Sequence, residues 1–138
     1  MGSARDSNGL VVLDRDACLQ MLATRHVASV AITDGALPLV LPAMYLLKGD
    51  EIYVAADRNG ILGRRLPDNI VSLCVHDIDD SFASGWNVTV TSQARLVDGA
   101  TARCLDRLFP LWGRSGENDG QLVVRLDTER IAGRLILG

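Results

Sequence analysis

Residues Leu37 to Ala56 constrain this chain more than any other stretch, because they read as a long two-stranded hairpin and commit it to antiparallel pairing. Leu37-Pro38-Leu39-Val40-Leu41-Pro42-Ala43-Met44-Tyr45-Leu46-Leu47 is an extended, largely buried run. Gly49-Asp50 is a turn signal, and Glu51-Ile52-Tyr53-Val54-Ala55-Ala56 is the returning strand. Pro42 cannot donate a ladder hydrogen bond, so it marks either a bulge or an edge, and a bulge would free neighbouring backbone groups to face a ligand. Asp57-Arg58-Asn59-Gly60 then breaks the pattern, and Ile61 to Leu66 reads as a short helix. A strand that ends in a glycine-containing turn and opens a helix presents unpaired N–H groups that suit an anion. Many such connections bind nothing.

The remaining segments repeat the theme. Asp14 caps a first helix over Arg15 to Thr24, with Cys18, Leu19, Leu22 and Ala23 on one apolar face. His26 to Thr33 is a strand closed by the Asp34-Gly35 turn, the strongest hairpin signal present. Asn69 to Ile78 and Trp86 to Val97 are a fourth and a long fifth strand. Asp98-Gly99 leads into a helix whose apolar face is Cys104, Leu105, Leu108 and Phe109. Gly113 to Gly120 is a polar loop and the candidate mobile segment. Gln121 to Leu126 and Ile131 to Leu137 supply the final strands. The connections are too short for repeated crossovers, so a mainly β fold with marginal helices follows, a small barrel of about six mostly antiparallel strands.

At 138 residues the chain is expected to form one domain, residues 13–138, preceded by an N-terminal tail, residues 1–12. A net charge of −3 argues against a nucleic-acid partner, and any phosphate must be held by a local cluster. Thirteen of the fourteen basic residues are arginine, which leaves Lys48 as the sole lysine. Three cysteines, Cys18, Cys74 and Cys104, lie in apolar runs without C-x-x-C spacing, so buried free thiols and a cytoplasmic location are expected. No apolar run reaches membrane-spanning length, and Met1 to Asn8 is not signal-like, so no membrane partner is expected.

Catalytic motifs are scarce. There is no Walker lysine loop, no G-x-G-x-x-G and no G-x-S-x-G. His26 and His76 are the only histidines, and neither has a second ligand at metal spacing. His76-Asp77 with Asp79 and Asp80 reads as a solvated strand end ahead of a cation site. No nucleophile–base constellation stands out, so catalytic residues stay unassigned and no metal is expected. If the chain is an enzyme, an organic cofactor carries the chemistry.

The element order and several local motifs resemble the pyridoxamine 5′-phosphate oxidase-like family of FMN-binding split barrels, from about Leu13 to Leu137, and most closely its short actinobacterial-type members. The resemblance rests on the Asp14 to Ala23 helix before Val27-Ala28-Ser29-Val30-Ala31, on Pro38-x-x-x-Pro42 with Tyr45, and on the Gly-Asp turn. Gly85-Trp86-Asn87-Val88, Pro110-Leu111-Trp112 and Ile131-Ala132-Gly133-Arg134 extend it. It implies a split β-barrel, a homodimer and FMN in a groove between subunits. Carried over by position, Val40, Leu41 and Pro42 would border the flavin ring and Ala55 and Ala56 the ribityl chain. Asn59, Gly60, Ile61 and Leu62 would form the phosphate turn, with Trp86 and Asn87 on the adjoining strand. Family members usually carry a lysine where this chain has Ile61. That change removes a charge-assisted bond worth about 1.5–3 kcal/mol, with Arg58, Arg64 and Arg65 as candidates to replace it.

The implied activity is that of a flavin (FMN)-dependent oxidoreductase acting on an unidentified small-molecule substrate. Two alternatives stand beside it: a non-catalytic split-barrel dimer that binds another ligand or none, and an F420-dependent reductase on the same barrel.

Overall fold

The computed structural model describes residues 4–106 and 121–137. The expected Leu108–Phe109 end of the third helix, Pro110-Leu111-Trp112 and the Gly113 to Gly120 loop lie outside the described residues. In chain order the elements are β1 (Val11–Leu13), α1 (Arg15–Leu22), β2 (Val27–Asp34), β3 (Leu37–Lys48), β4 (Glu51–Asp57) and α2 (Ile61–Arg65). They continue with β5 (Ile70–Ile78), β6 (Gly85–Gln93), β7 (Arg95–Leu96), α3 (Gly99–Asp106), β8 (Gln121–Leu126) and β9 (Arg130–Ile136). All strands join one sheet in the order β1-β9-β6-β5-β2-β3-β4-β8-β7, and every neighbouring pair is antiparallel.

The sheet curls into a barrel because one residue joins its two sides. β6 lies near one end of the strand order and β7 at the other, yet only Ala94 separates them. The β8 end is therefore brought round to β6, where the Asp127 N–H donates to the Ser92 Oγ at 3.1 Å. Six strands, β6-β5-β2-β3-β4-β8, close the barrel, with β9 and β1 added outside β6. The long fifth strand expected over Trp86 to Val97 is therefore two strands. Ala94 is fully buried, and its N–H and C=O pair with Asn69 and Asp68 as the chain steps across the seam. Val11 and Val12, in the stretch read as a tail, pair with β9.

The interior is filled by the alternate residues of each strand, as period-two burial requires. Val30, Tyr45, Val54, Leu73, Val88, Val90 and Val124 are all fully buried. α1 plugs one end with Cys18 and Leu22, and its Asp14 cap accepts from the Ala17 N–H at 2.8 Å, as expected. Burial raises the Cys18 thiol pKa, with nearby Asp14 adding to the shift. The other thiols depart from the expectation. Cys74 points to the outer face of β5 and is half-buried, and Cys104 is exposed because α3 buries Leu105 instead.

Thr128 ties three connections together. It is 2% exposed, donates to the Asp50 carbonyl at 2.6 Å and accepts from Arg15 Nη2 at 2.8 Å, while Arg15 Nη1 donates to its carbonyl. Thr128→Val keeps the shape and removes the hydroxyl, leaving two polar partners unmatched at the barrel end. A loss of about 1–2 kcal/mol is expected, read as a lower denaturant midpoint with an unchanged slope.

Candidate functional site

The hydrogen-bond phase of β3 decides where the barrel opens. The Tyr45 N–H donates to the His26 carbonyl at 2.9 Å, and β3 pairs with β2 without a bulge from Met44↔Val27 to Leu37↔Asp34. Odd-numbered residues of β3 therefore direct their N–H and C=O toward β2, and even-numbered ones toward β4. Pairing of β3 with β4 runs from Lys48↔Glu51 to Met44↔Ala55 and stops there. The next bonded pair would join Pro42 to Asp57, and proline has no N–H to give. Pro42 is thus an edge residue, not a bulge, and Pro38 repeats the missing donor on the same edge. β4 leaves the sheet at Asp57, and α2 turns across the gap.

α2 lies close because residue 63 has no side chain. A Cβ on Gly63 would fall 2.0 Å from the Asp57 carbonyl oxygen. The turn that launches the helix is held by Asp57 at both ends. Its Oδ1 accepts from the Asn59 N–H at 2.9 Å, and its carbonyl accepts from the Gly60 N–H at 3.0 Å.

Between the freed edge of β3 and α2 lies a cavity of about 450 Å³, within the roughly 300–1,000 Å³ usual for small-molecule sites. β3 contributes Leu41, Pro42, Ala43 and Met44, and β4 contributes Ala55, Ala56 and Asp57. Gly60, Ile61 and Leu62 form the α2 side, while Val27 and Gln121 close the ends. Among the described residues the lining is apolar, apart from backbone, Gln121 and one ionisable side chain, Asp57. Among the described residues no histidine, cysteine or hydroxyl side chain lines it, and what they offer is a surface that can bind and orient a ring.

Seven residues carried over from the family resemblance meet here: Leu41, Pro42, Ala55, Ala56, Gly60, Ile61 and Leu62. Val40 sits one residue beyond the lining and is 67% exposed. Asn59 is in the turn with its backbone committed to Asp57. The three arginines lie outside the lining, each on a protein acceptor. Arg58 Nη2 donates to the Gln121 carbonyl at 3.1 Å, and Arg64 Nη1 to the Asn59 carbonyl at 2.8 Å. Arg65 Nε pairs with Asp34 at 2.7 Å. Trp86 and Asn87 are on β6, separated from β3 by β5 and β2. The Arg25 guanidinium lies 5.6 Å from the Trp86 ring centroid and is held by Asp77 at 2.8 Å. Asn87 lines a second cavity of about 430 Å³, beside Phe82 and the Arg134–Asp6 ion pair.

Val27, Ala43, Met44, Asp57 and Gln121 were not among the residues singled out from the sequence. Ala43 and Met44 follow directly from the edge phase of β3. Val27 and Gln121 arrive only through the pairings Val27↔Met44 and Gln121↔Asp57, which no local signal announces. Among the described residues no group of three or more histidine, cysteine or acidic side chains could hold a metal ion, and no helix is long and apolar enough to cross a membrane.

Comparison with known proteins agrees with this geometry. No curated protein sequence matches the chain. Among solved structures, the FAD binding protein from Mycobacterium smegmatis superposes with a TM-score of 0.69 at 20% identity, covering 92% of this chain and 98% of that one. A putative pyridoxamine 5′-phosphate oxidase from Corynebacterium glutamicum gives 0.72 at 18% identity, over 96% and 98% of the two chains. An FAD-binding protein from Mesorhizobium loti gives 0.74 at 18%, over 91% and 97%. At these identities the likeness is one of fold. The sequence itself matches the family model described as pyridoxamine 5′-phosphate oxidase over residues 14–135. That match takes in α1, the split at Pro42 and the strands that close the barrel, and the chain belongs to the pyridoxamine 5′-phosphate oxidase-like family.

Proposed function

We propose that this chain binds a flavin in the cavity between β3 and α2 and serves as a flavin-dependent oxidoreductase for a small substrate. The observation that carries the reading is the apolar slot against an unpaired strand edge. Leu41 to Met44 offer a flat apolar wall, and beyond Met44 the edge-facing groups, the Val40 N–H and C=O and the Pro42 C=O, have no partner strand among the described residues and can hydrogen-bond a heterocycle edge-on. When bound, a flavin supplies hydride or electron transfer at its ring. The protein's part is then to hold the ring, keep water from its apolar face and leave one side open to substrate. Membership of the family supports a flavin, and two of the solved structures with this fold are named as FAD-binding proteins. A non-catalytic binding protein is the second reading, favoured by the lack of any cation among the described residues of the lining.

The working unit in this proposal is a homodimer. The outer face of β3, β2, β5 and β6 presents short side chains in cross-strand rows, such as Pro42–Ser29–Cys74–Thr89. Val27 and Val40 stand exposed at 60% and 67% on that same face. A second copy packed there would bury both valines and roof the cavity that Val27 borders. Sedimentation at micromolar concentration is expected to give twice the 14.9 kDa chain mass, and a monomer would contradict the dimer. Calorimetric titration with flavins tests the cofactor, and absence of binding by any flavin would remove the oxidoreductase reading.

A further inference from the structure

We infer that the dimer is under pH control through His76, which stands on an uncharged outer face of the sheet: as pH falls through the imidazole range, the two copies part. The inference rests on the homodimer reading above and names what regulates it.

The face is defined by what flanks it. On one side α3 lies over β4 and β8, where Leu105 joins Ala55 and Val123 in a cluster with Met44 and Leu46. On the other side the N-terminal segment crosses β9, tied there by Asp6 to Arg134 at 2.9 Å. Between them lie the outward positions of β2, of β3 from Pro38 to Pro42, of β5 up to His76 and of β6 from Asn87. All are half-buried or exposed. None of them is aspartate, glutamate, lysine or arginine, in a chain of which 22% is charged. A two-fold contact sets a patch against its own copy, so a charge near the axis meets its like. A face without charges suits such a contact, whereas a partner of another kind would be selected by a charge pattern that this face lacks.

His76 is the only histidine on this face, and imidazole is the side chain that changes charge between pH 5 and 8. It is exposed and lies opposite Asn87 on β6. The β2–β5 register, carried one step past Ser29↔Cys74 on the same face, sets it beside Val27. The charges around it are already matched. Asp77, next on β5, holds Arg25 at 2.8 Å, and Arg134, across β6 on β9, holds Asp6. His26 precedes β2 at the opposite strand phase, off this face. No carboxylate on the face can neutralise a protonated His76, and the second copy brings only another His76. Covering two imidazolium groups without a counter-ion disfavours the charged form. The contact is therefore fully present above the imidazole range and is lost as pH falls through it, the parting copies taking up two protons. The whole-chain charge predicts the reverse. Net charge approaches zero near the isoelectric point of about 5.2, where self-repulsion is least.

The test is sedimentation of the full chain at pH 8 and pH 6, with alkylation of Cys74 as a second readout. The dimer dissociation constant should rise about tenfold from pH 8 to pH 6, both imidazoles contributing. His76→Gln should dimerise equally at the two pH values. His76→Lys, charged throughout, should weaken the dimer at pH 8 by a similar factor. His26→Gln should behave as the wild type does. Cys74 lies on the face, and Cys104 is exposed on α3, off it. At pH 8, and at a concentration where the wild type is dimeric, iodoacetamide should label Cys74 faster in His76→Lys than in the wild type, with Cys104 unchanged. An equal dissociation constant at pH 8 and pH 6, a His76→Gln dimer with the wild-type pH dependence, or a His26→Gln dimer without it overturns the control and leaves the dimer standing. A Cys74 rate that is the same in wild type and His76→Lys places the contact on another face and overturns it as well. A wild type that is monomeric at pH 8 removes the dimer reading itself.

Discussion

Gly63→Ala is expected to destabilise the protein by about 2–3 kcal/mol and to weaken ligand binding at the β3–α2 cavity at least tenfold. The added Cβ would lie 2.0 Å from the Asp57 carbonyl oxygen, 2.8 Å from its carbon and 3.0 Å from the Arg58 Cα. All three are backbone atoms, so no rotamer change relieves the overlap, and α2 must lift away from the end of β4. Overpacking of this kind typically costs about 1–3 kcal/mol. Because Ile61 and Leu62 ride on α2 and form one wall of the cavity, the same displacement opens the site. Thermal unfolding should shift down by roughly 5–10 °C for a domain of this size. An unchanged melting temperature with unchanged affinity would show that α2 does not sit where the structure puts it.

The second large effect is at Tyr45. It is fully buried in the barrel interior, and its hydroxyl donates to the Leu22 carbonyl at 2.6 Å, where α1 ends without a basic residue in its last turn. Burial pushes its phenol pKa well above the ordinary range, so the group stays a neutral donor at all working pH values. Tyr45→Ala removes a ring from a closed core and leaves that carbonyl with only the long 3.3 Å bond from the Arg25 N–H, and about 3–5 kcal/mol should be lost. Tyr45→Phe keeps the ring and should lose about 1–2 kcal/mol. The denaturant midpoints of the two variants separate packing from the hydrogen bond. Equal losses in both would mean that the ring contributes little and that the core is not centred on Tyr45.

Tyr45 also illustrates what could be read from the chain alone. It sits at an odd position of an apolar strand, and period-two alternation places it inside with Leu41 and Ala43. The hairpin, the Asp14 cap and the short helix after Gly60 were legible for the same reason, since each depends on residues within a few positions of one another. Pro42 was legible as a ladder-breaking residue, and the structure resolves the choice between bulge and edge through the Tyr45–His26 hydrogen bond. Closure of the barrel was not legible. It turns on Ala94 stepping from the β5 side of the sheet to the β8 side, and the apolar pattern of Trp86 to Val97 continues through that step. The exposure of Cys104 was hidden because two neighbouring apolar residues, Cys104 and Leu105, compete for one buried position on α3.

Site residues divided in the same way. Leu41, Pro42, Ala55, Ala56, Gly60, Ile61 and Leu62 came together because the hairpin and the turn into α2 bring them together along the chain. The arginines looked available in sequence, and two of them take acceptors far along the chain, Asp34 for Arg65 and Gln121 for Arg58, while Arg64 turns back to the Asn59 carbonyl. Asp57 could be seen as a turn residue. Its place in the cavity lining needed the geometry of β4 leaving the sheet.

The most direct test of the account is a crystal structure of the protein grown with the tightest-binding flavin. The ring is expected in the slot between β3 and α2, edge-on to the free backbone of Val40 and Pro42, with its tail leaving past Asp57. Flavin density in another cavity, such as the one beside Phe82 and the Arg134–Asp6 pair, with the β3–α2 slot left empty, would contradict it.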